Sequence, residues 1–338
     1  MLKGAQSWEF QNPPSIISTG VVGGPFEKKG RLSEDFDRFY EDLWMGEETY
    51  EKANRLMIED AVKLAVEKGG IREDQVKFFL SGDLINQITP SSFAARTNEI
   101  PYLGLFGACS TSMEGLALAS YLVDTGGADY IVTGASSHNS AVEKQFRYPT
   151  EYGGQKPPTA QWTVTGAGYS LIGKSSPGSS PGPRVTSATI GKVIDMGLTD
   201  PFNMGGAMAP AAADTITAHF KDLGRDPSYY DLVITGDLAK IGRKTTQELL
   251  QKEGITLDET QFQDCGLLIY GQDQPVQSGA SGPGCSATVL YGHLLNQMKS
   301  GVYKKILMIA TGALLSPLTF QQGESIPCIA HAVSIEYR

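Results

Sequence analysis

The chain has 338 residues, 41% of them hydrophobic and 19% charged, the composition of a globular protein with one large or two smaller domains. A formal charge of −9 at pH 7 and a pI near 5.1 argue against nucleic acid as a partner. No apolar stretch approaches the ~18 residues of a membrane span, and the first ten residues lack a signal core. The chain is therefore read as soluble, reaching a membrane only through a partner.

Residues 14 to 24 read as a strand running into a glycine turn, and Leu32 to Trp44 as an acidic loop with a short helix. Thr49 to Lys68 is an amphipathic helix whose apolar positions Ala53, Leu56, Met57, Ala61, Leu64 and Ala65 follow the 3.6 period. Val76 to Leu80 is a buried strand, Pro90 to Asn98 a short helix. A helix ending at Val123 and the strand Tyr130 to Thr133 follow. Residues 141 to 163 read as an irregular loop, and a loop of that length is usually functional or interfacial. Val164 to Gly173 is a strand, and Ser175 to Arg184 a Ser/Pro/Gly linker. The linker divides the chain into halves at 1–174 and 185–338. The second half reads as strand Val185 to Val193, helix Ala207 to Phe220, strand Leu232 to Ile234 and helix Gly242 to Glu253. A helix from Cys285 to Met298 and strands Ile306 to Ile309 and Ala330 to Ile335 complete it.

The four cysteines, Cys109, Cys265, Cys285 and Cys328, are widely spaced without a CxxC, so no zinc site or disulfide framework is expected. Cys109 stands in the small-residue run Gly107-Ala108-Cys109-Ser110-Thr111-Ser112, just before a helical pattern. A helix start offers unpaired N–H groups and positive potential, which lower a thiol's pKa and create a nucleophile. The other reading is a small buried hydrophobe.

The halves echo each other. Phe78-Phe79-Leu80-Ser81-Gly82-Asp83-Leu84 resembles Leu232-Val233-Ile234-Thr235-Gly236-Asp237-Leu238. Ala108-Cys109-Ser110 resembles Gly284-Cys285-Ser286, each before a helix, and Gly134-Ala135 matches Gly312-Ala313 in the strand beyond. This order implies a duplicated α/β unit with pseudo-twofold halves. The helix starts at Cys109 and Cys285 would face each other across a pocket suited to a carboxylate, a thioester oxyanion or a phosphate.

This order, with Ala108-Cys109-Ser110 before a buried helix and Thr165-Gly166-Ala167-Gly168 at a strand entry, resembles the thiolase superfamily and its ketoacyl synthases. That resemblance implies a thiolase-like αβαβα layered fold. SSHNSAVEKQFRYPTEYGGQKPPTAQWTVTGAG, DPFNMGGAMAPAAADTI, the segment from Asp264 to Tyr270 and the tail GALLSPLTFQQGESIPCIAHAV narrow it to the stage V sporulation protein AD family. Membership implies binding of dipicolinic acid (pyridine-2,6-dicarboxylate), alone or as its calcium chelate, and support of its uptake into developing spores. It also implies membrane channel partners, a place in the forespore or spore beside the inner spore membrane, and a homodimer paired through first-half sheet edges.

Condensing enzymes of the superfamily need a second-half His near Thr235-Gly236-Asp237, and a His or Asn near Ala280-Ser281-Gly282. Neither is present. No catalytic residue, cofactor or metal site is therefore expected, and no EF-hand spacing marks a calcium site. The ligand-binding candidates are Cys109, Ser110, His138, Asp237, Ser281 and Cys285. Lys28 and Lys29 are further candidates as cations. Asp237 reads either as a site residue or, like Asp83, as a structural turn aspartate. His331 is expected in the core or a turn, His219 and His293 on helices at the surface or in packing, and Arg147, Tyr148 and Tyr152 at a subunit interface, with a cap over the pocket as their alternative role. A residual acyltransferase using Cys109 with His138 as a makeshift base is the alternative function, and an adaptor with an empty pocket a third.

Overall fold

The computed structural model describes residues 1–146, 156–175 and 180–338. Arg147, Tyr148 and Tyr152 lie outside the described residues. The first half builds five strands: β1 (Ser15–Gly23), β2 (Phe78–Gly82), β3 (Tyr102–Gly104), β4 (Tyr130–Ser137) and β5 (Gly166–Gly173). The second builds β6 (Pro183–Thr189), β7 (Leu232–Thr235), β8 (Phe262–Asp264), β9 (Lys305–Ala313) and β10 (Cys328–Tyr337). The first sheet runs β1-β5-β4-β2-β3 and the second β6-β10-β9-β7-β8. Strand for strand, the parallel and antiparallel pairings are the same. A single pairing of Arg184 with Ser15 joins the sheets at β1 and β6.

The registers correct one anchor of the repeat. Phe78 pairs with Ile131 where Leu232 pairs with Ile306. Ile131 then pairs with Ile172, and Ile306 with Ile335. Gly134 is thus equivalent to Ile309, and the Gly134-Ala135 to Gly312-Ala313 match is three positions out of register. Glycine and alanine carry little register information, because register follows the buried set.

Helix α1 (Tyr50–Gly69) covers β1 and β5 from outside. Its start is capped by Thr49, whose hydroxyl accepts from the Lys52 N–H at 3.2 Å, and Gly70 closes it in the left-handed conformation. Helix α2 (Thr111–Asp124) packs between the sheets with α5 (Pro283–Thr288), whose helical path continues to Lys299 through a π-helical stretch, Val289–Leu294. Ser112 and Ser286 join the two central helices by a 2.6 Å hydroxyl contact. Helices α3 (Met204–Leu223) and α4 (Ala239–Lys252) pack together, α3 covering β9 and β10 from the far side. The result is the αβαβα sandwich expected of a thiolase-like fold.

Several local expectations change. The stretch 141–163 holds the end of a helix, Asn139–Phe146, and a strand, Gln161–Thr163. The strand expected from Val185 to Val193 ends at Thr189, and the chain leaves the sheet there. Residues 1–9 form a hairpin that pairs onto β6. His219 is fully buried between the Thr189 hydroxyl and the Tyr230 hydroxyl, each 2.7 Å away, and burial pushes its pKa down to about 3. It is a packing histidine, not a surface one. His331 is also buried, its pKa pushed down to about 4, and it accepts the Gly191 N–H at 3.2 Å.

The central layer approaches the first sheet closely at Gly168 of β5. A methyl group there would lie 2.6 Å from the Ala287 carbonyl carbon and 2.9 Å from the Thr288 nitrogen of α5. These are main-chain atoms that cannot swing away. Gly168→Ala should destabilise the fold by about 3 kcal/mol, the upper range for overpacking. A midpoint in urea indistinguishable from the parent's would contradict this account of the layer contact.

Candidate functional site

Strand β7 ends in Thr235 and is followed by Gly236, Asp237 and Leu238, with α4 starting at Ala239. The turn is held from β8. The Asp264 carboxylate accepts the Thr235 hydroxyl at 2.7 Å, the Leu238 N–H at 2.8 Å and the Ala239 N–H at 3.0 Å. Asp264 thus serves as the cap of α4 and leaves Asp237 free to face the other way.

Asp237 is 1% exposed. Its Oδ1 accepts the Thr311 hydroxyl of β9 at 2.7 Å, and its Oδ2 accepts the Gly282 N–H at 3.0 Å. The Cys109 thiol is its third partner. Gly282 immediately precedes α5 and holds a φ of +98°, which a side chain would resist; a methyl there would also meet the Ser137 hydroxyl at 2.7 Å. Burial pushes the Asp237 pKa up to about 7 against the lowering effect of these donors, and the nearby Asp264 adds to the rise.

Its mate in the repeat behaves differently. Asp83 accepts the Ile85 N–H at 2.8 Å, the Ser91 N–H at 2.9 Å and the Ser91 hydroxyl at 2.6 Å. All three donors lie within eight residues, so Asp83 is a turn aspartate. Asp237 instead collects α5, β9 and Cys109.

Cys109 is half-buried, while Cys265, Cys285 and Cys328 are buried; all four are free thiols. Ala108 before it adopts a φ of +50°, an unusual backbone for a residue with a side chain. Burial pushes the Cys109 thiol well above its ordinary range, and the Asp237 carboxylate beside it pushes the same way. The Gly282 N–H opposes them. The helix-start effect that suggested a thiolate is outweighed, and the group is a neutral thiol.

The remaining candidates separate. The Ser110 hydroxyl donates back to the Gly107 carbonyl at 2.6 Å. The Cys285 thiol donates to the Gly236 carbonyl at 3.4 Å, behind the Asp237 turn. Ser281 is only partly buried and pairs through its backbone with the strand Gln161–Thr163. His138 faces the 24–49 segment: its Nε2 contacts the Leu43 carbonyl at 2.8 Å, its Nδ1 accepts the Ala141 N–H at 3.4 Å, and its ring stacks on Tyr50. Both ring nitrogens are used there, and burial pushes the pKa down to about 4, so His138 is no base for Cys109. Lys28 pairs with Glu41 at 2.7 Å. Thr311, Gly282 and Asp264 went unrecognised in the sequence. Only the Asp at the end of a β8-like strand beside β7 could have pointed to one of them.

No basic side chain stands among the principal groups acting on Cys109 or Asp237. Among the described residues no group of three or more His, Cys, Asp and Glu is arranged to hold a metal ion. The chemistry on offer is a neutral thiol and a carboxyl poised to gain or lose one proton near neutrality. Asp237→Asn removes the adjacent charge. Iodoacetamide should then modify Cys109 at pH 8 about tenfold faster, the effect of one pKa unit on the thiolate fraction. Intact-mass kinetics check this, and an unchanged rate would show that the carboxylate does not govern the thiol.

The family model for stage V sporulation protein AD (SpoVAD) matches residues 4–336. Stage V sporulation protein AD of Bacillus subtilis (strain 168) is 49% identical over 335 residues, covering 99% of this chain and 98% of the relative. Among solved structures, human mitochondrial 3-ketoacyl-CoA thiolase in complex with CoA superposes with a TM-score of 0.62 at 12% identity, covering 98% of this chain and 99% of that one. The 3-oxoacyl-[acyl-carrier-protein] synthase III of Aquifex aeolicus VF5 gives 0.58 at 14% identity, covering 96% and 100%. At such identities the structural matches establish the fold alone. The chain belongs to the stage V sporulation protein AD family.

Proposed function

We propose that the protein binds dipicolinic acid beside Cys109 and supports its uptake into developing spores without catalysing a reaction on it. The observation that carries this reading is the Cys109–Asp237 pair, a thiol kept neutral by burial and then by the carboxyl beside it, with no imidazole among the principal groups acting on it. Such a thiol is a poor nucleophile, and its one hydrogen is released for a ligand only while Asp237 is protonated. Cys109, Asp237 and the part-exposed Ser281 form the binding set. Ser110, Cys285 and His138 have their polar atoms engaged elsewhere and are left out of it. The same features count against acyl transfer through Cys109.

Among the described residues, no cation stands among the principal groups acting on Cys109 or Asp237 to answer the ligand's two carboxylates. Binding is therefore favoured while Asp237 is protonated and opposed once it ionises. Asp237 has a folded pKa of about 7, so affinity should fall as pH rises through that value. Calorimetry with dipicolinate should show a loss of roughly tenfold, about 1.4 kcal/mol, between pH 6 and pH 8. Asp237→Asn should flatten the dependence, and the calcium chelate, which carries no net charge, should show little of it. Absence of binding heat at pH 6 with folded protein would sink the reading, and Cys109→Ala checks the place.

Among the described residues no helix is long and apolar enough to cross a membrane. The reading therefore includes channel proteins that hold this chain at the inner spore membrane. It also includes a homodimer paired through the edge strand β3, where Leu103 is 42% exposed beside Phe93 and Phe106 at 45% and 51%. Sedimentation should give twice 36.3 kDa, and Leu103→Pro should give the monomer. A monomeric parent would remove the dimer from the proposal.

A further inference from the structure

Outside the Cys109 site one buried acid has no evident structural need to be an acid. Glu27 sits in the turn after β1 and is 1% exposed. Its Oε1 accepts the Thr165 N–H at 3.1 Å and the Tyr270 hydroxyl. Its Oε2 is buried and makes no well-formed hydrogen bond, although the Gly24 and Glu27 backbone N–H groups act on the carboxylate from their side of the turn. An ionised carboxylate so placed would leave half its charge bare in an apolar setting. The neutral acid has no such penalty, because two donors converge on one oxygen and the other carries the proton.

The turn around Glu27 fastens the two halves. Gly24 N–H donates to the Thr165 carbonyl at 2.9 Å on the first-half side. On the second-half side, Arg31 N–H donates to the Ile269 carbonyl at 3.0 Å and the Gln274 amide to the Phe26 carbonyl at 2.9 Å. Phe26 packs between Trp162 and Tyr270, with ring centroids 4.8 and 5.1 Å away.

We propose that Glu27 is a proton-operated latch, holding the 24–31 turn across both halves when neutral and releasing it when ionised. The titratable groups around it are few. Tyr270 faces it from the second half, with Cys285 beyond; the Thr165 strand presents only backbone. On its own turn Lys28 is spent on Glu41, and no cation is among the principal groups acting on Glu27. Burial pushes its pKa from 4.5 up to about 7, against the lowering effect of Tyr270 and Thr165. A raised pKa means that the latch contributes fully below pH 4.5 and is lost as pH rises through about 7.

The latch also has a short route to the Cys109 site. Val164, next to Thr165, donates to the Ser281 carbonyl at 2.9 Å, and the following Gly282 N–H is the one that holds Asp237. Release of the turn therefore loosens a ladder that ends on the binding carboxyl.

Amide hydrogen exchange on the full chain, normalised to the chemical rate at each pH, tests the latch. Linkage between 4.5 and about 7 makes opening of residues 24–31 and 161–165 about tenfold easier at pH 8 than at pH 6. Glu27→Gln mimics the neutral acid and should remove that difference. Tyr270→Phe removes a donor that stabilises the ionised form and should shift the midpoint of the transition to higher pH. The same tenfold change in Glu27→Gln as in the parent would overturn the proposal. So would equal protection at both pH values in the parent. Asp237 titrates in the same range, and the difference between parent and Glu27→Gln cancels its contribution. None of these readouts uses dipicolinate, so the latch and the binding proposal fail separately.

Discussion

A carboxyl group buried without a cation governs the centre of this molecule. Asp237 stands where β7, β9, the start of α5 and the cysteine turn before α2 converge, and it receives one donor from each of three of them. Desolvation of a carboxylate costs several kcal/mol when no opposite charge answers it. Three hydrogen bonds offset part of that cost and leave the proton held to near neutral pH. The thiol beside it is affected in turn, since a thiolate next to a carboxylate in a dry site is doubly disfavoured. The position of Asp264 makes this possible. By satisfying the N–H groups at the start of α4, it spares Asp237 the turn-closing work that Asp83 performs in the other half.

That contrast explains what sequence could and could not show. The duplicated fold was legible because its signal is spread over many residues: an apolar run, a Ser/Thr-Gly-Asp-Leu close and a small-residue helix start, twice in order. The long helix α1 was legible from its period and from Thr49 and Gly70 at its ends. The edge strands β3 and β8 were missed in both halves, because three residues with one exposed side carry too little pattern to register. The site was legible only in part. Cys109 and Asp237 were recognisable as candidates, but identical letters at Asp83 and Asp237 conceal opposite roles. The roles depend on donors that arrive from Gly282 and Thr311, 45 and 74 positions away from Asp237. His138 was misplaced for the same kind of reason. It follows a strand closing on the right edge of the sheet, but the 24–49 segment passes over that edge and takes Nε2 through Leu43, while the Ala141 N–H of its own helix takes Nδ1.

That segment, with no counterpart in the repeat, also changes how the halves are joined. Asp35 reaches His293 at 2.7 Å and the Asn296 amide at 2.8 Å on the second-half central helix. Asp37 accepts the Val21 N–H at 2.8 Å and pairs with Lys68 at 2.8 Å on the first-half side. The Asp35 backbone lies so close to Gly292 that a methyl there would meet its carbonyl oxygen at 2.5 Å. Gly292 falls within the π-helical stretch, where the helix widens and side chains are re-aimed. The loop is therefore seated on an irregularity of the central helix rather than on a smooth face.

Glu27 and Asp237, two buried acids with no cation among the principal groups acting on them, are then instances of one constraint rather than two coincidences. Both lie where a first-half element meets a second-half element, and both accept a main-chain N–H that belongs to the same ladder, Thr165 at one end and Gly282 at the other. A cation buried beside either would have fixed its charge and made the interface insensitive to pH. A plain hydrophobic residue would have done the same and packed more cheaply. An acid whose only partners are neutral donors keeps the interface tight in one protonation state and penalised in the other. In the proposed function, a ligand carrying two negative charges and a carboxyl that must be neutral to accept it are linked by one proton. In the proposed latch, the joint between the halves responds to a second proton, at Glu27, over the same pH range.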